Sequence, residues 1–397
     1  MNVATIDRSG NSSHSSRVRT ISRLRSHLGV TMAQIRGAFW RALPALVGYA
    51  AVRLAGLVTI SVWAHKTGHS PSQLLADYDG VWYIGIARDG YDSMESLQSN
   101  LAFFPLYPGL VAAVEAASPL QFRSSALLLG WLAAGVAAWG IFAVGDHLYG
   151  RRTGVVLAVL WGSLPHSAVQ LMAYSETLFT ALTAWSLYAL LRRNWLTAAM
   201  LCFLAGLTRP TGSSLIAAVG LAALVAGFRR RDGWQPWVAV ALTPLGWLSH
   251  IVWVGWRVGR PDGWFYIQEA GWGSYFDFGV DTVEVARRLL SQPFALKFYV
   301  VSLICLLAIL LFVLAMLDRQ PWPLLLYTGA LLFTTLGAAG YYHSKARFLL
   351  PAFPLLLPVA RALARAGVAH AVSILTALAA ASVIFGGYLM LIWELSP

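Results

Sequence analysis

The chain alternates long apolar runs with short polar segments, and most of the runs are long enough to cross a membrane as helices. The eleven predicted spans are 39–63, 124–146, 154–173, 176–191, 196–208, 212–228, 236–256, 298–317, 322–340, 347–364 and 368–393. The stretch 101–117 is left out because Pro105, Pro108 and Glu115 suit a surface-lying or re-entrant segment better than a full span. The pattern predicts an all-α, multi-pass integral membrane protein.

Composition supports the same class. Hydrophobic residues make up 58% of the 397 residues and charged residues only 12%, which is too apolar for a soluble globule. Cys202 and Cys305 are the two cysteines, and their apolar surroundings exclude a disulfide framework and argue against a thiolate metal site. A net charge of +12 would also suit nucleic-acid binding. Membrane topology explains this charge without nucleic acid, because Lys and Arg collect on the cytoplasmic side.

The distribution of charge orients the predicted spans. With a cytoplasmic amino terminus, the inner segments hold 17 of the 29 Lys and Arg residues and only 4 of the 17 acidic residues. Counting 101–117 as a further span would move three basic clusters to the outer side, against the positive-inside rule. We therefore expect the carboxy terminus and the acidic loops to be extracytoplasmic. Arg53 remains inside the first span, where we expect it to pair with a carboxylate or to line a headgroup cavity.

The chain divides into two predicted parts. Residues 1–35 are basic and lack hydrophobic periodicity, which predicts a disordered cytoplasmic tail. Residues 36–397 form the transmembrane domain, with a first outer loop at 64–123 and a second at 257–297.

Two acidic residues, Asp77 and Asp79, directly follow the first predicted span. Asp79 can cap a short helix over residues 80–88 that stops at Gly90. Alternatively, a helix end at the membrane boundary holds this carboxylate in place as a general base. Asp77 lies two residues away and would fall on another helix face, so it is the weaker catalytic candidate.

Basic residues at the outer ends of later spans suit a phosphate group. Arg209, Lys345 and Arg347 can stabilise phosphate oxygens by charge-assisted hydrogen bonds. Ordinary interfacial snorkelling is the alternative for these side chains. His343 can donate to a phosphate or orient an acceptor hydroxyl.

Other kinds of site have little support. Phosphate-loop, dinucleotide, zinc-protease and nucleophile-elbow motifs are absent from the sequence. Metal ligation by Asp77 and Asp79 stays an alternative, but a closely spaced pair without a third ligand is weak evidence. We predict no cofactor and do not expect a divalent metal.

Five motifs carry a family resemblance. They are DGVWYIGIARDGY at 79–91, AFFPLYP at 102–108, YSETLF at 174–179, LTRPTG at 207–212 and KARFLLP at 345–351. In this order, across most of the chain, they resemble the motifs of PIG-V-type mannosyltransferases. The chain departs from the family at Tyr78, where Trp is usual, and at Pro210-Thr211-Gly212, where many relatives have Ser-Asn-Gly after the arginine.

The resemblance implies a GT-C fold and transfer of mannose from a polyprenyl-phosphate donor to a lipid-linked or glycolipid acceptor at the extracytoplasmic face. It implies that Asp79 is the catalytic carboxylate, and we expect inversion at the sugar with Asp79 as general base. Tyr83, Tyr107 and Glu176, which lie in the motifs, are the predicted substrate-binding residues. A lipid-linked sugar transporter or flippase, or a structural subunit of a partner enzyme, remains the alternative.

Overall fold

Helices supply the regular structure of this protein. The computed structural model describes the backbone of residues 12–92, 98–230 and 232–397, and side chains from residue 36 onward. The α-helices are α1 (Ser12–Lys66), α2 (Pro71–Leu74), α3 (Asp79–Asp89), α4 (Leu106–Ala116), α5 (Phe122–Tyr149), α6 (Arg151–Gly162), α7 (Glu176–Leu191), α8 (Trp195–Gly206), α9 (Gly212–Phe228), α10 (Gln235–Leu242), α11 (Leu245–Val258), α12 (Gly263–Trp272), α13 (Val280–Ser291), α14 (Leu296–Leu317), α15 (Trp322–Gly337), α16 (Lys345–Phe348), α17 (Leu357–Arg365) and α18 (Val368–Leu391). Short 3₁₀ helices occupy Asn100–Ala102, Pro165–Leu171, Tyr342–Ser344 and Phe353–Leu356. Extended pairing within the described residues is limited to one bridge, between Phe276 and Ala338.

Among the residues that the structure describes, five helical segments are long and apolar enough to cross a membrane, and two bent helix pairs bring the number to as many as seven. The five are Arg36–Lys66, Phe122–Tyr149, Gln235–Val258, Leu296–Leu317 and Val368–Leu391. The bent pairs are Arg151–Gly162 with Pro165–Leu171, at 84°, and Tyr342–Phe348 with Phe353–Arg365, at 74°. Their lengths and apolar character are those of a multi-pass helical membrane protein.

The predicted number of eleven spans is not reached by these helices. Each predicted apolar run coincides with a helix or a helix pair, but α7, α8, α9 and α15 have only 16, 12, 17 and 16 residues. A helix needs about 20 residues to cross the hydrocarbon layer. The run 154–173 is bent because Pro165 cannot continue the ladder of α6. Helix α4, with 11 residues, is also too short, which agrees with the exclusion of 101–117 from the spans.

The amino-terminal segment differs from its prediction. Helix α1 begins at Ser12, so residues 12–35 are helical where disorder was predicted. Arg, Leu, Met and Ala favour helix, so a segment without hydrophobic periodicity can still extend one. Residues 1–11 of the predicted tail lie outside the described residues. The chain divides into two units at Pro44, and the site described below belongs to residues 45–397.

Arg53 is buried in α1, and its partners are neutral groups. Its guanidinium donates to the carbonyl of Ser167 at 2.6 Å, to the carbonyl of Gly162, and to the hydroxyl of Ser382 at 3.4 Å. The bend after α6 leaves such carbonyls without helical partners. The expected pairing with a carboxylate is therefore wrong, because the cation caps the end of α6 and ties it to α18.

The two predicted outer loops pack against each other. The buried apolar cluster between them contains Leu101, Ala102, Phe104, Ile251, Val254, Trp264 and Ile267. The indole of Trp264 donates to the carbonyl of Ala102 at 3.3 Å, and that of Trp272 donates to the carbonyl of Ser99 at 3.1 Å. These hydrogen bonds hold the segment before α4 on α12, so that the loops form one layer.

Helices α5 and α14 connect the two ends of the bundle. With 28 and 22 residues, they are about 42 and 33 Å long. At one end of the bundle, the hydroxyl of Tyr107 contacts the first turns of α5, and the hydroxyl of Tyr342 lies 2.6 Å from that of Ser302 on α14. We call this end of the bundle the loop end. At the opposite end, the guanidinium of Arg361 lies 5.0 Å from the ring of Tyr149. We call this the basic end, and the predicted catalytic residues lie at the loop end.

Candidate functional site

Four charged side chains from distant parts of the chain meet at the loop end. Asp79 Oδ2 lies 3.0 Å from Arg347 Nη1, and Arg347 Nε lies 3.3 Å from Glu176 Oε1. Glu176 Oε2 in turn lies 2.8 Å from Arg209 Nη1. The two carboxylates and two guanidiniums alternate and balance in charge. We call these four residues the charge network.

Asp79 is the member of the charge network most open to solvent. Its side chain is 22% exposed, compared with 1% for Glu176, 5% for Arg347 and 9% for Arg209. A general base must reach the proton that it removes, which only an accessible carboxylate can do. Glu176 is sealed between two guanidiniums, where it can hold both cations in place.

The start of α3 positions Asp79. The preceding residue, Tyr78, has φ 56° and ψ −120°, which is unusual for a bulky side chain and reverses the chain direction into the helix. The backbone N–H of Asp79 donates to the hydroxyl of Tyr174 at 3.3 Å. Tyr78 is the N-cap, and the Asp79 carboxylate contacts Arg347, so the capping alternative for Asp79 is wrong. The predicted stop at Gly90 is confirmed by its φ of 83°.

Ser175 connects α3 to the buried part of the charge network. Its hydroxyl lies 2.6 Å from the hydroxyl of Tyr83 and accepts a hydrogen bond from Arg209 Nη1 at 3.1 Å. Burial raises the pKa of Tyr83, so this phenol stays protonated. Tyr83 is only 4% exposed. Its contacts in the structure are therefore with the protein interior.

Tyr107 is completely buried between α4 and α5. Its hydroxyl donates to the carbonyl of Ala126 at 2.9 Å, and its ring packs edge-on against Tyr83 with centroids 5.1 Å apart. Of the three predicted substrate-binding residues, Glu176 belongs to the charge network. Tyr83 contacts Ser175 next to Glu176, and Tyr107 packs on Tyr83.

Lys345 lies apart from the charge network. Its ammonium donates to the carbonyl of Thr335 at 2.9 Å and to that of Ala338, at the end of α15. The side chain is 2% exposed, so it neither snorkels to the surface nor presents its donors to a ligand. It caps the carboxyl end of this helix, where a cation is favourable. We therefore leave Lys345 out of the candidate phosphate site.

His343 and Asp77 differ in their relation to the charge network. The half-buried His343 has Arg347, Lys297 and Asp79 as its charged neighbours, and its ring lies 5.8 Å from that of Tyr341. It remains at the rim of the candidate site.

Asp77 interacts instead with Arg123 and His69. Burial raises the pKa of the Asp77 carboxyl. Its charged neighbours are thus not those of Asp79, and Asp77 does not join the charge network.

Two further hydroxyls contact the charge network. Ser396 Oγ accepts a hydrogen bond from Arg347 Nη1 at 3.1 Å and lies 3.4 Å from the hydroxyl of Tyr174. The ring of Tyr174 also lies 5.0 Å from the Arg347 guanidinium. Tyr174 and Ser175 lie in the YSETLF motif, which could have identified them. Ser396 belongs to none of the five motifs, so the sequence offered no signal for it.

An aromatic surface adjoins Asp79. Trp82 lies one helical turn after Asp79, stacks on Phe103 with centroids 5.9 Å apart, and meets Trp272 edge-on at 5.0 Å. Trp82, Phe103 and Trp272 are all half-buried. They form an apolar cluster of rings on the same part of the loop end as Asp79.

Among the described residues, no group of three or more His, Cys, Asp or Glu side chains is placed to hold a metal ion. Comparison with known proteins finds no matching family model and no matching curated protein.

Proposed function

We propose that this protein is a membrane glycosyltransferase of the GT-C type that transfers mannose from a polyprenyl-phosphate-mannose donor to a lipid-linked or glycolipid acceptor. One observation carries the proposal. The four residues of the charge network come from four of the five motifs that resemble PIG-V-type enzymes, and they meet within 3.3 Å of their partners. Motifs of one active site are expected to converge in this way.

In the proposed reaction, Asp79 removes the proton of an acceptor hydroxyl. The hydroxyl oxygen attacks the anomeric carbon of mannose from the face opposite the phosphate, and the bond from that carbon to the phosphate oxygen breaks. The phosphate leaves with the electron pair, and the proton ends on Asp79. Because the leaving phosphate is a stabilised anion, a general acid is not required.

The balanced charges suggest how the donor engages the site. A donor phosphate adds negative charge to a network that has no net charge, so it competes with Asp79 for Arg347. Arg347 then pairs with the phosphate in place of Asp79, and Asp79 is released to act as a base. Glu176 keeps Arg209 and the rest of Arg347 in place during the exchange. Donor binding thereby activates the carboxylate.

The proposal also assigns a side of the membrane to each end of the bundle. Arg192, Arg193 and Arg229 directly follow the ends of α7 and α9, and Arg361 and Arg365 lie in the last two turns of α17. These helices run away from the loop end. Under the positive-inside rule this basic end is cytoplasmic, and the loop end with Asp79 is extracytoplasmic. Labelling of a cysteine introduced at Ser72, an exposed position on α2 before Asp79, tests this orientation. Labelling from the cytoplasmic side alone would contradict it.

The central experiment incubates the purified protein with polyprenyl-phosphate-mannose and a panel of lipid and glycolipid acceptors, and analyses the products by mass. Wild type should form a product one hexose heavier than its acceptor. Asp79→Asn should lose transfer by about a hundredfold or more, because general-base catalysis contributes at least that much.

Asp89→Asn is the matched control. Asp89 lies at the other end of α3, is 61% exposed and pairs with its neighbour Arg88. The control variant should keep normal turnover. Near-normal turnover of Asp79→Asn would remove Asp79 from the proposed role.

Transport of a lipid-linked sugar is the second candidate, since charged groups buried in a helical bundle also occur on transport pathways. A transporter should move labelled polyprenyl-phosphate-mannose across the membrane of vesicles that contain the protein, without forming a new covalent product. Activity that appears only with a partner enzyme, and survives Asp79→Asn, would indicate a structural subunit instead.

A further inference from the structure

The basic end of the bundle contains a cavity of about 260 Å³ between the last turn of α14 and one side of α17. Leu314, Leu317, Pro358 and Ala362 form its apolar wall. Asp318, Arg361 and Arg365 form its charged wall. A cavity with one apolar side and one cationic side suits an amphipathic anion.

The charged wall has a surplus of positive charge. Arg361 and Arg365 are four residues apart and therefore lie on the same face of α17. Arg361 Nη1 lies 3.5 Å from Asp318 Oδ1, which is a loose ion pair. The exposed Arg365 has no carboxylate partner among the residues that the structure describes. The charged wall thus contains two guanidiniums and one carboxylate, and an added anion would balance the remaining positive charge.

The apolar wall continues onto the lipid-facing side of a membrane span. Leu317 is 73% exposed, and Leu310 and Leu303, farther along α14, are 53% and 66% exposed. Acyl chains that cover this face would bring their headgroups level with the end of α14 and the two arginines. A soluble anion would make no use of the apolar wall.

We propose that this cavity binds the headgroup of an anionic phospholipid, with its phosphate between Arg361 and Arg365 and an acyl chain along Leu314 and Leu317. Basic pockets between membrane helices bind anionic headgroups in this manner. The site is distinct from the charge network, because the cavity lies at the basic end of the bundle and the charge network at the loop end. The proposal does not depend on the proposed transferase activity.

Native mass spectrometry of the purified full-length protein with phosphatidylglycerol or phosphatidylcholine tests the proposal. Wild type should retain phosphatidylglycerol preferentially. Arg365→Gln and Arg361→Gln should each lower its affinity about five-fold, as expected for one cation near a headgroup. Arg229→Gln, which removes an exposed arginine after α9, is the matched control and should leave the affinity unchanged.

Arg365 makes no ion pair with a described residue, so its substitution should leave the thermal unfolding profile of the protein unchanged; this profile shows that the variant is folded. An equal loss in Arg229→Gln would overturn the proposal in favour of general surface attraction. Equal retention of phosphatidylcholine, or displacement of phosphatidylglycerol by equimolar inorganic phosphate, would also overturn it.

Discussion

Arg53 and Arg347 are both buried, with 6% and 4% of the surface of the whole residue exposed, but they have different kinds of partner. Arg53 binds the carbonyls of Gly162 and Ser167 and the hydroxyl of Ser382. Arg347 binds carboxylates, those of Asp79 and Glu176.

This difference separates a structural cation from one that can exchange its partner. The carbonyls around Arg53 carry no net charge. They are fixed by α6 and by the 3₁₀ helix Pro165–Leu171 that follows it, so an anionic ligand does not replace them. A carboxylate can be displaced by another anion or neutralised by a proton. The Asp79 partner of Arg347 is partly exposed to solvent, so a phosphate can reach this ion pair and exchange with the carboxylate.

The largest expected effect is that of Glu176→Ala on stability. The substitution leaves the guanidiniums of Arg209 and Arg347 buried without this carboxylate, and we expect the free energy of unfolding to fall by about 3–5 kcal/mol. Unfolding in mixed micelles with increasing SDS measures the change. Glu269→Ala, at an exposed site on α12, is the control and should change stability by less than about 0.5 kcal/mol. Equal stability of the two variants would contradict the structural role of Glu176.

Arg53→Met should have the next largest effect. It removes the donor from two carbonyls at the bend after α6, and each buried acceptor left unpaired costs about 1–3 kcal/mol. The same SDS titration measures the loss. Because Arg53 has no part in the charge network, the folded variant should bind donor with wild-type affinity. Weaker donor binding by folded Arg53→Met would erase the distinction between the two arginines.

Asp79→Asn should tighten donor binding while it abolishes transfer. The substitution removes the anion that competes with the donor phosphate for Arg347. A partly exposed ion pair contributes up to about 1 kcal/mol, which corresponds to an increase in affinity of about five-fold. Equilibrium binding of labelled polyprenyl-phosphate-mannose measures this change in affinity, with Asp89→Asn as the reference variant. Weakened binding would show that Asp79 does not compete with the donor.

Ser396→Ala should have the smallest effect. It removes the hydroxyl that accepts from Arg347 Nη1, a loss of about 0.5–1.5 kcal/mol in unfolding free energy. Ser291→Ala, an exposed serine at the end of α13, is the control in the same SDS titration. If the two variants are indistinguishable, Ser396 does not support Arg347.

Several features were predictable because they depend on neighbouring residues. Hydropathy located the long apolar helices, and the positive φ of Gly90 follows from ordinary helix-stop chemistry. The positions of Asp79, Arg209 and Arg347 at the ends of apolar runs marked them as candidates. The number of spans was less predictable, because a run of apolar residues does not reveal where a proline bends it.

Partner choice at the site was beyond the reach of local patterns. Lys345 and Arg347 are two residues apart in one motif, yet the first caps α15 and the second joins Asp79 to Glu176. Glu176 and Arg347 are far apart in the chain, and their pairing depends on how α7 and α16 pack. Hydropathy and turn chemistry are properties of a few adjacent residues, which is why they can be read along the chain, whereas the charge network exists only after distant helices have been brought together.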